Sequence, residues 1–228
     1  MEDKKRLLDI INILDSNKKV IDVGTDHGLV PLYLAKNKLS TDITATDISK
    51  PSLQKLVDKL DDDLSKIIKT KVTDGFKGLE SEEGQVAIIA GMGANTIIEI
   101  IEGSLDFAKN LDYMILASNV NTYELRNFLN DHGFYIEKDF LSYENRKYYD
   151  ILKVYYGKNQ DLGFEEYYYG LTDIENKSTL LREKLAIDKE KNQGFLEEIK
   201  EKSQDARAIN KITDRLIAIR KVEERCKF

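Results

Sequence analysis

The 228-residue sequence has no tryptophan, two prolines, one cysteine and two histidines. Each scarcity closes a possibility. With Cys226 as the lone thiol no internal disulfide can form, and a reducing, cytoplasmic setting is expected. His27 and His132 stand far apart in the chain without cysteine neighbours, too poor a ligand set for zinc, so no metal is expected. No apolar run approaches the roughly 20 residues that a membrane span requires. The N-terminus, MEDKKRLLDIINIL, has acids among its first residues and no small-residue cleavage site, so a signal peptide is not expected. Positive charge is also short: 35 Lys+Arg against 41 Asp+Glu leave a formal net charge of −6, which argues against indiscriminate nucleic-acid binding. The deficit is uneven. Residues 157–228 hold fifteen of each sign, so it lies wholly in residues 1–156, and Asp205 to Phe228 carry a local +3. A polyanionic partner would be met by local patches.

What is present is organised around Lys19 to Ala35, KVIDVGTDHGLVPLYLA. A short apolar run, Val20 to Val23, breaks at Gly24 and Gly28 and resumes at helical spacing, which predicts strand, turn and helix. Glycine at a strand tip lets a ligand approach the backbone, and the first N–H groups of the following helix face the crevice. Asp22, inside the last turn of such a strand, reads as a ligand contact.

Leu7, Leu8, Ile11 and Leu14 predict a helix over residues 4–14, whose basic start Lys4-Lys5-Arg6 is a solvated end or a phosphate contact. A second strand over residues 42–47 ends in Asp47, and Ser49 and Pro51 open a helix to about Leu60. Asp61-Asp62-Asp63 reads as a charged helix end. A third strand around Lys71 to Thr73 ends at Asp74-Gly75, a fourth is Val86 to Ala90 running into Gly91-Met92-Gly93-Ala94, and a fifth is Tyr113 to Ala117. Asn121 and Glu124 form a capping-box pattern for a helix that stops at Gly133. Phe134 to Tyr143 and Tyr148 to Tyr156 are too closely spaced for a helical crossover and predict a hairpin. The fold expected is α/β, a parallel sheet wound on both faces with an antiparallel last strand. Beyond it, residues 158–228 show helical patterning alone. Leu181, Leu185, Phe195 and Ile199 form one seam, with Asp188 and Asn192 at its intermediate positions, and Ile209, Ile212, Leu216 and Ile219 form a second. Two such helices joined near Ser203-Gln204 predict an antiparallel coiled coil, marginal alone, in a monomer or weak dimer. The expected domains are residues 1–157 and 158–228.

Asp22, Asp47 and Asp74 fall at the ends of successive strands, and in a doubly wound sheet those ends share the ligand-binding edge. Three carboxylates beside a glycine turn, with no Walker lysine, suit a ligand carrying hydroxyls and positive charge better than one carrying phosphates. Asp47 occupies the place where an acid takes a ribose diol, but Gly24-Thr25-Asp26-His27-Gly28 is not the G-x-G-x-x-G of a nicotinamide site. S-adenosyl-L-methionine fits this pattern. Asp47 and Asp74 also have the bland alternative of turn or N-cap residues.

The order Arg6-Leu7, DVGTDHGLVPLYL, VTDGF, AIIAGMGANTI, Asn119 before a helix, and Glu144 through Tyr149-Asp150-Ile151 resembles the bacterial TrmK-type tRNA (adenine-N1)-methyltransferases over essentially the whole chain. The resemblance implies a Rossmann-like methyltransferase domain, a C-terminal coiled coil, and methylation of N1 of adenine 22 in tRNA. It implies that Asp22, Gly24 and Asp26 line the methionine end of the cofactor, Asp47 the ribose, Asp74 and Gly75 the adenine, and that Gly91, Met92 and Gly93 pass beneath the reacting methyl. Asn119, Asp26 and His27 are the candidate catalytic residues, with Asn119 either holding the target base or turning the chain into the next helix. The family pattern has glycine where this chain has Ala94, and Gln-Pro where it has Ala117-Ser118. Two rival readings are a small-molecule methyltransferase and a non-catalytic cofactor- or RNA-binding protein.

Overall fold

The computed structural model describes residues 4–202 and 205–228, so the turn expected at Ser203-Gln204 lies outside the described residues. Compact packing divides the chain into two units, Met1–Lys138 with Ser142–Gln160, and Asp139–Leu141 with Asp161–Phe228.

In the first unit helix α1 (Lys5–Asn12) precedes strand β1 (Val20–Val23), followed by α2 (Leu29–Lys36), β2 (Ile43–Asp47), α3 (Lys50–Val57), α4 (Leu64–Ile67) and β3 (Ile68–Val72). Then come β4 (Val86–Ala90), α5 (Ala94–Glu102), α6 (Leu105–Asn110), β5 (Tyr113–Ser118), α7 (Thr122–Asp131) and the strands β6 (Phe134–Glu144), of which Asp139–Leu141 count with the second unit, and β7 (Lys147–Tyr156). The sheet order is β3-β2-β1-β4-β5-β7-β6. Strand β1 pairs in parallel with β2 on one side, Asp22 opposite Ala45, and with β4 on the other, Asp22 opposite Ile88. The winding direction reverses there, which opens a crevice beyond the strand ends. Strand β7 runs antiparallel to β5, with Ser118 opposite Asp150. Asn145 and Arg146 join β6 to β7 with φ of 51° and 61°, the two left-handed residues of a tight hairpin turn.

The core explains why the central strands are continuous apolar runs. Val20, Ile21, Ile43, Val86, Ile88, Ile89, Ile115 and Leu116 are completely buried, as strands covered by helices on both faces require. Edge strand β3 differs, since Lys69, Thr70 and Val72 are exposed. Strand β3 therefore begins earlier than the expected Lys71, and Asp74 lies two residues past its end. The Ser49 hydroxyl accepts from Ser52 N–H at 3.3 Å and caps α3. Asp61, expected as part of a helix end, instead accepts from Leu64 N–H at 2.8 Å and starts α4. The expected Asn121–Glu124 capping box is absent: Asn121 has a left-handed φ of 57°, and its side chain makes no capping bond.

In the second unit α8 (Leu171–Asn176) leads to α9 (Thr179–Lys202) and α10 (Ala206–Cys226). Leu181, Leu185 and Asn192 of α9 are buried, as are Ala218, Ile219, Val222 and Cys226 of α10. Lys189 Nζ meets Glu223 at 2.9 Å between the two helices. The expected seam does not stay closed along its length, because Phe195 is 45% exposed.

Candidate functional site

The loops following β1, β2, β3 and β4 open on one cavity of about 740 Å³. Asp22, Gly24, Asp26, His27, Asp47, Asp74, Gly75, Gly91 and Met92 all line it. Gly93 and Asn119 do not.

The loop after β1 has its shape because the backbone demands it. Gly24 has φ of 73°, and its N–H and that of Thr25 donate to the Thr46 carbonyl at 2.8 and 2.9 Å, strapping the loop to β2. A Cβ on Gly24 would stand 2.0 Å from Met92 Cε, the flexible tip of that side chain, so it is the left-handed backbone that calls for glycine here. At Gly91, φ is 86° and a Cβ would meet nothing within 4 Å, leaving its backbone open to the cavity.

Asp22 is buried, and burial pushes its carboxyl up to about 7, with the neighbouring Asp47 charge adding to the shift and the Thr25 hydroxyl easing it. That hydroxyl is itself buried and closes no well-formed hydrogen bond. Asp47 accepts from Ser49 N–H at 2.8 Å through one oxygen and from Asp26 N–H at 3.2 Å through the other. It is therefore a turn residue as well as a brace between loops, and each oxygen keeps a second lone pair for a ligand. Asp26, at φ of 44°, places its carboxylate 3.4 Å from both Lys55 Nζ and His27 Nε2. Asp74 is ion-paired with Lys77.

Asn119 lies on the loop after β5, exposed, and its side chain has no hydrogen-bond partner among the described residues. The loop around it is held firmly. Ser118 Oγ donates to the Val120 carbonyl at 3.0 Å, which also accepts from Ala94 N–H at 3.2 Å. At the start of α7, Thr122 Oγ1 and the fully buried Arg126 bind opposite oxygens of Asp150 on β7 at 2.9 and 2.7 Å.

Sequence reasoning missed the face of α5 that lines the cavity: Thr96, Glu99, Ile100 and Gly103. Their i, i+3, i+4, i+7 spacing was a legible signal that the apolar run Ile97, Ile98, Ile101 obscured. Arg6 of α1, a solvated end or phosphate contact by sequence, also lines the cavity. Among the described residues no helix is long and apolar enough to cross a membrane, and no group of three His, Cys, Asp or Glu could hold a metal.

The methyltransferase-domain family matches residues 3–152. The chain is 31% identical over 155 residues to the "Putative tRNA methyltransferase MG248" of Mycoplasma genitalium, a match covering 66% of this chain and 69% of that protein. It is 25% identical over 151 residues to the tRNA (adenine(22)-N(1))-methyltransferase of Bacillus subtilis, covering 65% of this chain and 63% of that one. Its fold superposes with a TM-score of 0.86 on the crystal structure of a Streptococcus pneumoniae protein described as "a putative tRNA (m1A22) methyltransferase, in complex with S-adenosyl-L-methionine", 26% identical, with 96% of this chain and 99% of that chain covered. The expected Rossmann-like sheet is thus present, with β7 running antiparallel. By its matched domain and these relatives, the chain belongs to the methyltransferase-domain family and, within it, to the TrmK-type tRNA methyltransferases.

Proposed function

We propose that the protein transfers a methyl group from S-adenosyl-L-methionine to N1 of adenine 22 in tRNA. The observation that carries this reading is the convergence of Asp22, Asp47 and Asp74, from three successive strand ends, on one cavity beside glycine turns. The residues fit the cofactor. Among the described residues Asp22 is a buried acid without a cationic partner, suited to an ammonium, and Asp47 keeps lone pairs for a diol. Asp74 and Gly75 are assigned to the adenine end, Gly24 and Asp26 to the methionine end. Gly91 and Met92 are assigned to the floor beneath the reaction, while Gly93, which does not line the cavity, caps the start of α5.

Bound S-adenosyl-L-methionine supplies an electrophilic methyl group on a sulfonium. The substrate asks for no general base, because adenine N1 is unprotonated at neutral pH and its lone pair is available. The protein's work is therefore orientation, which supplies on the order of 7 kcal/mol or more. Positive charge grows on the adenine ring as the reaction proceeds, so the carbonyls of Ala90 and Ser118, the Asn119 amide and the Asp26 carboxylate are assigned to stabilise it. His27 is assigned as a polar wall of the base pocket. N1 is a Watson–Crick atom, so the base must be unpaired or flipped to reach the site.

Residues 1–157 are assigned as the catalytic domain. Residues 158–228, a helical pair read as a coiled coil from its 3-and-4 spacing, are assigned to hold tRNA through the basic stretch beyond Asp205. The work belongs to the cytoplasm. Calorimetric titration tests the cofactor directly: S-adenosylhomocysteine should bind and NAD should not, and Asp47→Ala should weaken binding by about 1 to 3 kcal/mol. Binding of NAD with no response to S-adenosylhomocysteine would overturn the assignment.

A further inference from the structure

We infer that Asp150, together with Arg126 and Thr122, is a positioning residue for the methyl transfer, fixing the loop that carries Asn119 beside the turn after β4, an inference that rests on the function proposed above. The three residues meet from distant parts of the chain, Asp150 from β7 and the other two from the start of α7. Asp150 Oδ1 accepts from Arg126 Nη2 at 2.7 Å and Oδ2 from Thr122 Oγ1 at 2.9 Å, so each oxygen holds one partner and the carboxylate plane is set. The Arg126 side chain is fully buried and that of Asp150 is 12% exposed. Such a pair adds little net stability, because desolvating two charges offsets their attraction, and apolar side chains of similar volume commonly do as well or better. The other buried positions on this side of α7 are indeed apolar, Leu125, Phe128 and Leu129. The charge at Arg126 calls for a geometric reason.

What the cluster holds is the entry to α7. Asn121 turns into that helix with a left-handed φ of 57° and makes no side-chain capping bond, so the first turn is secured sideways, by Thr122 to β7. The strand register agrees, since Ser118, the last residue of β5, lies opposite Asp150. Ser118 and Thr122 thus bracket a short loop, both of them buried, with Asn119 exposed between them. Inside the loop the Val120 carbonyl accepts from Ser118 Oγ at 3.0 Å and from Ala94 N–H, at the start of α5, at 3.2 Å. A Cβ on Gly93 would stand 2.9 Å from Val120 Cγ2, so the loops after β4 and β5 are in close contact. The contacts run from Asp150 through Thr122 and Val120 to the turn after β4, whose Gly91 and Met92 line the cavity. An exposed loop side chain is aimed only as well as its backbone is held, and a misplacement of about 1 Å at a reacting group can cost on the order of 100-fold in rate.

The test is steady-state kinetics with tRNA and S-adenosyl-L-methionine on the full-length protein, beside thermal melting and calorimetry with S-adenosylhomocysteine. Thr122→Val keeps the shape and removes the hydroxyl. It should lower kcat roughly tenfold while KM for tRNA and the affinity for S-adenosylhomocysteine stay within about twofold, and Thr122→Ser should restore most of the loss. Because the effect passes through Asn119, Thr122→Val on an Asn119→Ala background should lower kcat by less than about twofold more. Replacing the ion pair by apolar side chains, Asp150→Leu with Arg126→Met, should keep the melting temperature near that of the unmodified protein without restoring kcat. Should the paired replacement not fold, the Thr122 variants decide alone. Lower melting with kcat of the folded Thr122→Val protein intact, or full kcat in the apolar pair, would make the cluster a support of the fold only and overturn the inference. So would additive losses in the Asn119 background, or an equal loss of cofactor affinity. If the unmodified protein methylates no tRNA, the proposed function fails and the inference falls with it.

Discussion

Replacing Asp22 by asparagine should make the ligand-free protein more stable at neutral pH while weakening its hold on the cofactor. An ordinary aspartate titrates near 3.9, whereas burial holds Asp22 at about 7. The folded protein thus binds this proton more tightly than the unfolded chain does. For an acid shifted upward, the sign is a penalty: negligible below about pH 4, growing by about 1.4 kcal/mol per pH unit between the two pKa values, and constant above about 7. Integrated, the penalty grows by about 2 kcal/mol from pH 5 to 7 and levels at about 4 kcal/mol. Asparagine keeps the shape and carries no charge. Urea unfolding of both proteins at several pH values isolates the effect, because the difference between them cancels the other titrating groups. The variant's advantage should appear as pH rises through 5 to 7 and disappear toward pH 4. Cofactor binding should run the other way, since an ammonium favours the ionised carboxylate: unmodified-protein affinity should climb with pH up to about 7, and variant affinity should be weaker and flat. A variant no more stable than the original at pH 8, with the same pH dependence, would refute the reasoning that Asp22 is a strained acid waiting for a cation.

Two further outcomes follow from the geometry. Asn119 is exposed and makes no capping bond, so Asn119→Ala should change stability by less than about 0.5 kcal/mol. Steady-state kinetics should then show at least a tenfold lower turnover, about 1.4 kcal/mol, with cofactor affinity intact, and unchanged turnover would remove Asn119 from the site. Arg207, Lys211 and Arg215 repeat every four residues along exposed positions of α10. Reversing all three charges should flatten the salt dependence of tRNA binding by about 2 in log–log slope and leave cofactor binding unchanged, and an unaltered slope would assign α10 another role.

The sheet was legible in the sequence where burial wrote it as continuous apolar residues, in β1, β4 and β5. It was less legible at β3, because an edge strand with exposed Lys69 and Thr70 has no apolar run to read. The one-turn helix α4 and the short α6 carry too few residues to show a period. Asn121 matched a capping box by residue type, but the pattern is blind to its left-handed φ. The three strand-end acids were visible because their spacing follows the strands. Arg6 was visible only as an ambiguous charge, since its place at the cavity is set by Tyr149 and Glu144, brought beside it by a hairpin far along the chain. The half-open α9–α10 seam departs from expectation because Phe195 completes the apolar spacing without finding a buried partner surface.

Methylation of one atom of one base can be read directly in a single measurement. Unmodified tRNA is incubated with the protein and S-adenosyl-L-methionine carrying a labelled methyl group, then digested to nucleosides and to defined fragments for mass spectrometry. Label should appear in 1-methyladenosine alone, mapped to position 22. Label in another nucleoside or at another position, or no label in tRNA from a protein that binds the cofactor, would contradict the proposed function.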